Sequence, residues 1–73
     1  MIFKIGDKVL LNEKEFKTQG LYEKYFTKWD GKPLTIKEIY NRGMYPIKTK
    51  EKVNGFNCWK RNELILAREE NEL

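Results

Sequence analysis

Four aromatic residues, Tyr22, Tyr25, Phe26 and Trp29, fall at i, i+3, i+4 and i+7, the spacing that gathers side chains on one face of a helix. Phe16 lies upstream in the same stretch. Large rings grouped in this way anchor protein–protein contacts. A stripe at helical period also ordinarily faces a core. The segment 16–29 is therefore predicted either to close one end of the core or to dock a protein partner through Phe16, Tyr22, Tyr25, Phe26 and Trp29, with one or two rings left partly exposed. A second grouping lies further along, where Lys48, Lys50 and Lys52 alternate and Trp59, Lys60 and Arg61 follow the dipeptide Asn54-Gly55. A two-residue turn at that dipeptide pairs Val53 with Phe56, Lys52 with Asn57, Lys50 with Trp59 and Lys48 with Arg61. In that register Trp59 stands on the outer face among lysines. A ring framed by cations suits single-stranded DNA or RNA, where stacking contributes about 1–3 kcal/mol per base. Two other readings compete with it: a bulge turns Trp59 inward, or the lysines, with Pro46, guard an edge strand against aggregation.

Catalytic and metal chemistry find little material. The chain has no histidine, which removes the commonest general base and the commonest zinc ligand. Glu13, Glu15, Glu23, Asp30, Glu38, Glu51 and Glu63 stand singly among lysines, with no pair in an apolar setting that would drive two pKa values apart. Cys58, beside Trp59, Lys60 and Arg61, is the sole cysteine and can form no intrachain disulfide. Cationic neighbours lower a thiol pKa, but a cysteine in a strand is ordinarily a small buried hydrophobe, and that is the expectation for Cys58. The sequence thus predicts no catalytic residues, no metal and no cofactor.

The elements that position these groups are short. Gly6-Asp7 turns the chain into a first strand at Lys8-Val9-Leu10-Leu11. Asn12 to Asp30 carries no strand signal, and a helical turn is predicted inside it, between Leu21 and Trp29. Asp30-Gly31-Lys32-Pro33 is turn chemistry. Leu34 to Tyr40 alternates, then slips phase at Ile39, as a β-bulge would make it do. Asn41-Arg42-Gly43 is a hairpin loop. Met44 to Val53 is a third strand, with Tyr45, Ile47, Thr49, Glu51 and Val53 on one face. Phe56 to Trp59 makes a fourth, Lys60 to Glu63 a tight helical turn, and Leu64 to Ala67 a closing strand. Five strands at this spacing, with one long early loop, predict an all-β fold, a small five-stranded barrel.

Seventy-three residues allow one domain. The chain carries +4. Of its 15 basic and 11 acidic residues, one base and three acids lie in Arg68–Leu73, which leaves 14 bases and 8 acids, net +6, over residues 1–67. The expected organisation is a single barrel over 1–67 and a short acidic tail over 68–73. No leader and no apolar run long enough to span a membrane is apparent, so a cytoplasmic protein without a membrane partner is expected.

Phe3-Lys4-Ile5-Gly6-Asp7-Lys8-Val9, the Gly31–Ile36 turn into a strand, and Trp59 followed five residues later by Leu64 together resemble small Src-homology-3-like domains. Over nearly the whole chain they look like the short domains common in phages and other mobile elements of Gram-positive bacteria. The resemblance implies a Src-homology-3-like barrel and a phage or mobile-element origin. Recognition of proline-rich peptides does not carry over, because Lys14 and Lys17 interleave with Glu13 and Glu15 where an acidic, aromatic-lined loop would be needed. Such barrels serve several binding functions. The expected one is non-enzymatic contact with a host or mobile-element protein through the aromatic segment. The alternative is DNA or RNA binding through Lys48, Lys50, Lys52, Trp59, Lys60 and Arg61.

Overall fold

A computed structural model describes residues 2–67; the acidic tail expected over 68–73 lies outside them. Five strands run antiparallel in the order β4-β3-β2-β1-β5 and form a curled half-barrel: β1 Lys8–Leu11, β2 Leu34–Ile39, β3 Ile47–Val53, β4 Phe56–Trp59 and β5 Leu64–Leu66. β2 belongs to both halves of the curl, pairing with β1 at Leu34 and Thr35 and with β3 from Ile36 onward. Alternation in β1 (Val9 and Leu11 inward) sends one face to the core. The predicted phase slip in β2 is present: the register with β3 shifts by one between Ile36 and Glu38, leaving Lys37 as the extra residue. β3 begins at Ile47, three residues later than the sequence suggested.

The long connection holds two helices, not one. The first, α1 (Glu13–Thr18), was not anticipated; the second, α2 (Tyr22–Phe26), is the predicted turn. Asn12 starts α1 by accepting the Glu15 backbone N–H on its side-chain oxygen at 3.4 Å. Its amide also donates to the Asn62 carbonyl at 3.0 Å, and its backbone N–H to the Glu63 carbonyl at 2.8 Å. The helix start is thereby tied to the 3-10 turn Arg61–Glu63 on the far side of the sequence. Gly20 ends α1 with φ +76°, while the Leu21 N–H reaches the Phe16 carbonyl and the Gly20 N–H that of Lys17. This pair of bonds closes the carbonyl end of the helix and reverses the chain into α2.

The core consists of Phe3, Val9, Leu11, Phe16, Leu34, Ile36, Ile47, Val53, Trp59 and Leu64. Phe16 is fully buried and meets Trp59 edge-on at 6.2 Å between ring centroids. Removing these two large rings from water is how α1 is held against the sheet.

The β3–β4 hairpin turns at Asn54 (φ 53°) and Gly55 (φ 82°), both left-handed as a type I′ turn requires. Val53 pairs with Phe56 as predicted, but the register beyond the turn does not continue. Lys48 faces Cys58 and Ile47 faces Trp59, so four residues of β3, Thr49 to Lys52, span the stretch covered in β4 by Asn57 alone. Trp59 is therefore turned into the core, 1% exposed. The outward Trp59 of the unbroken register is corrected: its apolar area and a hydrogen bond available only inside outweigh the regular ladder. Trp59 Nε1 donates to the Thr49 hydroxyl at 3.1 Å, and that hydroxyl donates to the Glu51 carbonyl at 2.8 Å. Asn57 Nδ2 in turn donates to the Thr49 carbonyl at 3.1 Å. Side chains thus supply what the interrupted ladder cannot. Among the described residues, no helix is long and apolar enough to cross a membrane.

Candidate aromatic docking surface

α2 lies over one edge of the core with Tyr22, Tyr25, Phe26 and Trp29 half-buried. Its inward footing is Phe16, which contacts Tyr25 at 5.2 Å and Phe26 at 5.6 Å, both edge-on. Phe26 stacks on Tyr22 at 4.7 Å with planes 7° apart and meets Trp29 perpendicularly at 5.3 Å. Tyr25 reaches Trp59 at 5.5 Å and, on its outer side, Phe56 at 5.7 Å. The rings form one continuous layer, its inner members fixed by the core and its outer members open to solvent. Phe56 is 46% exposed.

Two features fix this layer. Asn54, in the β3–β4 turn, donates its side-chain amide to the Lys24 carbonyl of α2 at 3.2 Å. Trp29 Nε1 donates to the Lys32 carbonyl at 3.0 Å, which orients the indole at the end of α2. Burial pushes the Tyr25 phenol above its ordinary pKa, and the negative charge of Glu63 and the nearby Tyr45 phenol add to the shift. Tyr25 therefore stays neutral through the physiological range.

Lysines frame the layer. Lys24 Nζ stands 5.5 Å from the Tyr25 ring centroid and 5.0 Å from that of Phe56; Lys17 Nζ stands 5.0 Å from that of Tyr22. The Lys17 ammonium also pairs with Glu13 at 3.0 Å, and the hydrogen bond between them raises its pKa. At the Trp29 end, Lys28, Lys32 and Lys52 open onto a cleft of 260 Å³ walled by Trp29, Pro33 and Leu34.

Of the five residues assigned to protein docking, four lie in this layer. Phe16 does not: it is fully buried and serves as the footing beneath the others. The layer has outer members that sequence reasoning missed, Phe56 and Lys24. Phe56 was assigned only a strand position, yet it shares a face with Val53 at the point where that face passes from core to surface. Its ring, beside a two-residue turn, was the available signal.

The basic face assigned to nucleic acid is dispersed. Lys48 is half-buried between Glu38 on β2 and Cys58 on β4; Lys50 and Lys52 are exposed on the bulged stretch. Lys60 extends its ammonium over the Tyr45 ring at 5.9 Å, and exposed Arg61 borders a separate cleft with Phe3 and Asn12. With Trp59 buried, the ring expected to stand among Lys48, Lys50 and Lys52 is absent from that face. Cys58 is exposed, contrary to the expected buried thiol, because the shifted register that turns Trp59 inward turns its neighbour outward. Comparison of the chain with protein families, curated proteins and solved structures gives no match.

Proposed function

We propose that this chain is a non-enzymatic binding module of Src-homology-3-like fold that contacts a protein partner through the layer formed by Tyr22, Tyr25, Phe26, Trp29 and Phe56. The strand order β5-β1-β2-β3-β4, the long first loop and the 3-10 turn before the last strand support the fold assignment. The observation that carries the functional reading is the continuity of the ring layer. Its outer members remain partly in water although its inner members are locked to Phe16 and Trp59. Rigid, half-exposed aromatics are what protein interfaces use as anchors, because they bring large area at low entropic cost.

The environments of five ionisable groups accord with a binding role. Lys17, Tyr25 and Tyr40 have raised pKa values, while Glu38 and Glu51 have lowered ones. Each of these groups is held further from neutrality, whereas acid–base catalysis wants a group brought toward it. The sequence resemblance supports an accessory role in a phage or other mobile element, and a lone exposed thiol suits the reducing cytoplasm.

The test is affinity capture from a Gram-positive host lysate with nuclease treatment, comparing the wild-type chain with Tyr22→Ser/Phe56→Ser. Both positions lie outside the buried core, so the variant retains its fold by circular dichroism. A stoichiometric protein captured by the wild type and lost from the variant is the expected result. Recovery of nucleic acid alone, or equal capture by both chains, refutes the reading.

A further inference from the structure

We propose that the segment bound by this aromatic layer is an acidic peptide, with carboxylates alternating with apolar side chains, and that the Trp29 cleft receives one of its carboxylates. The inference rests on the docking reading above and specifies the chemistry of the partner.

The first argument is charge. Lys24, Lys28, Lys32 and Lys52 make no ion pair within 4.0 Å among the described residues. Two acids do border the cleft, but both are committed internally. Asp30 accepts the Lys32 backbone N–H at 2.9 Å, and Glu51 accepts the Thr35 N–H at 2.6 Å and, through its other oxygen, the Thr35 hydroxyl at 3.2 Å. The Thr35 hydroxyl takes a further hydrogen bond from Lys8 at 2.7 Å. The backbone and hydroxyl donors orient the two carboxylates without cancelling their charge, so three lysines against two acids leave the cleft mouth a net +1 beside an apolar wall. Lys24 on α2 and Lys28 just past its end extend this charge to the Phe56 end of the layer.

The second argument separates a peptide from a nucleic acid. Base stacking requires an open ring face. Tyr22 is covered by Phe26, parallel at 4.7 Å, and carries the Lys17 ammonium over its ring. Lys24 stands over both Tyr25 and Phe56. Both faces of Tyr22 are thus occupied and one ammonium stands over Tyr25 and Phe56, leaving mainly edges and ammonium groups at that end of the layer. Edges pack against aliphatic and aromatic side chains, and ammonium groups pair with carboxylates. A chain that alternates the two fits this surface. A stack of bases does not.

Fluorescence anisotropy with the full chain tests the proposal. The probe is a fluorescein-labelled decapeptide alternating glutamate with leucine and phenylalanine; the comparisons are the same peptide with glutamine for glutamate and a ten-nucleotide oligothymidylate. The glutamate peptide is expected to bind, and to weaken about tenfold as salt rises from about 50 to about 300 mM, because exposed charges are then screened. Lys28→Glu/Lys52→Glu should weaken it by a further tenfold or so, whereas Lys48→Glu, at a position between Glu38 and Cys58 that does not line the cleft, should leave it unchanged. Failure of the glutamate peptide to bind at low salt, equal binding of the glutamine peptide, or indifference to Lys28→Glu/Lys52→Glu overturns the proposal. Tighter binding of the oligothymidylate overturns it in favour of nucleic acid. The two readings fail separately: a protein captured equally by Lys28→Glu/Lys52→Glu but lost from Tyr22→Ser/Phe56→Ser leaves the docking surface standing and removes the acidic ligand.

Discussion

Thr49→Val asks whether one hydroxyl holds the central tryptophan in place. Thr49 is fully buried, and its Oγ1 accepts the Trp59 indole N–H at 3.1 Å while donating to the Glu51 carbonyl at 2.8 Å. Valine has the same shape, so the substitution opens no cavity. What it removes is the partner of an indole N–H on a side chain 1% exposed. Leaving such a donor unsatisfied costs about 1–3 kcal/mol. For a domain of this size each kcal/mol lowers Tm by roughly 4–8 °C, so a loss near 2 kcal/mol should lower it by about 8–16 °C. The assay is thermal unfolding by circular dichroism, repeated with Trp59→Phe and with the double variant. The cycle should return a coupling of about 1–2 kcal/mol, because Trp59→Phe removes the donor that Thr49→Val strands. Trp29→Phe leaves Trp59 as the sole indole, and its emission should be blue-shifted and resistant to iodide. A Thr49→Val variant within about 0.5 kcal/mol of wild type, or ready quenching of Trp59, refutes the inward register on which the docking layer stands.

Two further outcomes are expected. Gly55→Ala, at φ +82°, should lower the urea midpoint by an amount equivalent to about 1–2 kcal/mol with an unchanged m-value, because a Cβ is strained in that region. The Glu51 carboxyl is opposed by burial but held below its ordinary pKa of 4.5 by hydrogen bonds from Thr35 and by the charge of Lys8. A lowered pKa in the folded state contributes stability that is present above pH 4.5 and is lost as pH falls from there through the folded value. Urea titrations between about pH 7 and pH 3 should show that loss, and Glu51→Gln should flatten part of it.

Much of the fold was legible because its signals are local. Asn54-Gly55 specifies left-handed backbone at both positions, and the phase slip before Ile39 marks a bulge without reference to the rest of the chain. α1 was equally local in principle: Asn12 followed three residues later by Glu15, the Glu13–Lys17 pair and Gly20 are an N-cap, an i,i+4 pair and a helix-ending glycine. The aromatic stripe downstream drew the helix assignment away from it. The fate of Trp59 was not local. Whether the ladder runs on from Val53–Phe56 or breaks depends on a space in the core that Phe16, Tyr25, Ile47 and the Thr49 hydroxyl define together. The same break decided the candidate sites, removing the stacking ring from one and placing Phe56 beside Tyr25 in the other.

The single hydrogen bond from Asn54 to the Lys24 carbonyl joins positions thirty apart in sequence. The rings of the aromatic layer are therefore drawn from two stretches that meet only after the loop between them has closed. An excised peptide covering α1 and α2 would keep three of the layer's five rings and lose the geometry. The layer's shape belongs to the finished topology, and unfolding the distal turn would undo it without touching a residue of α2.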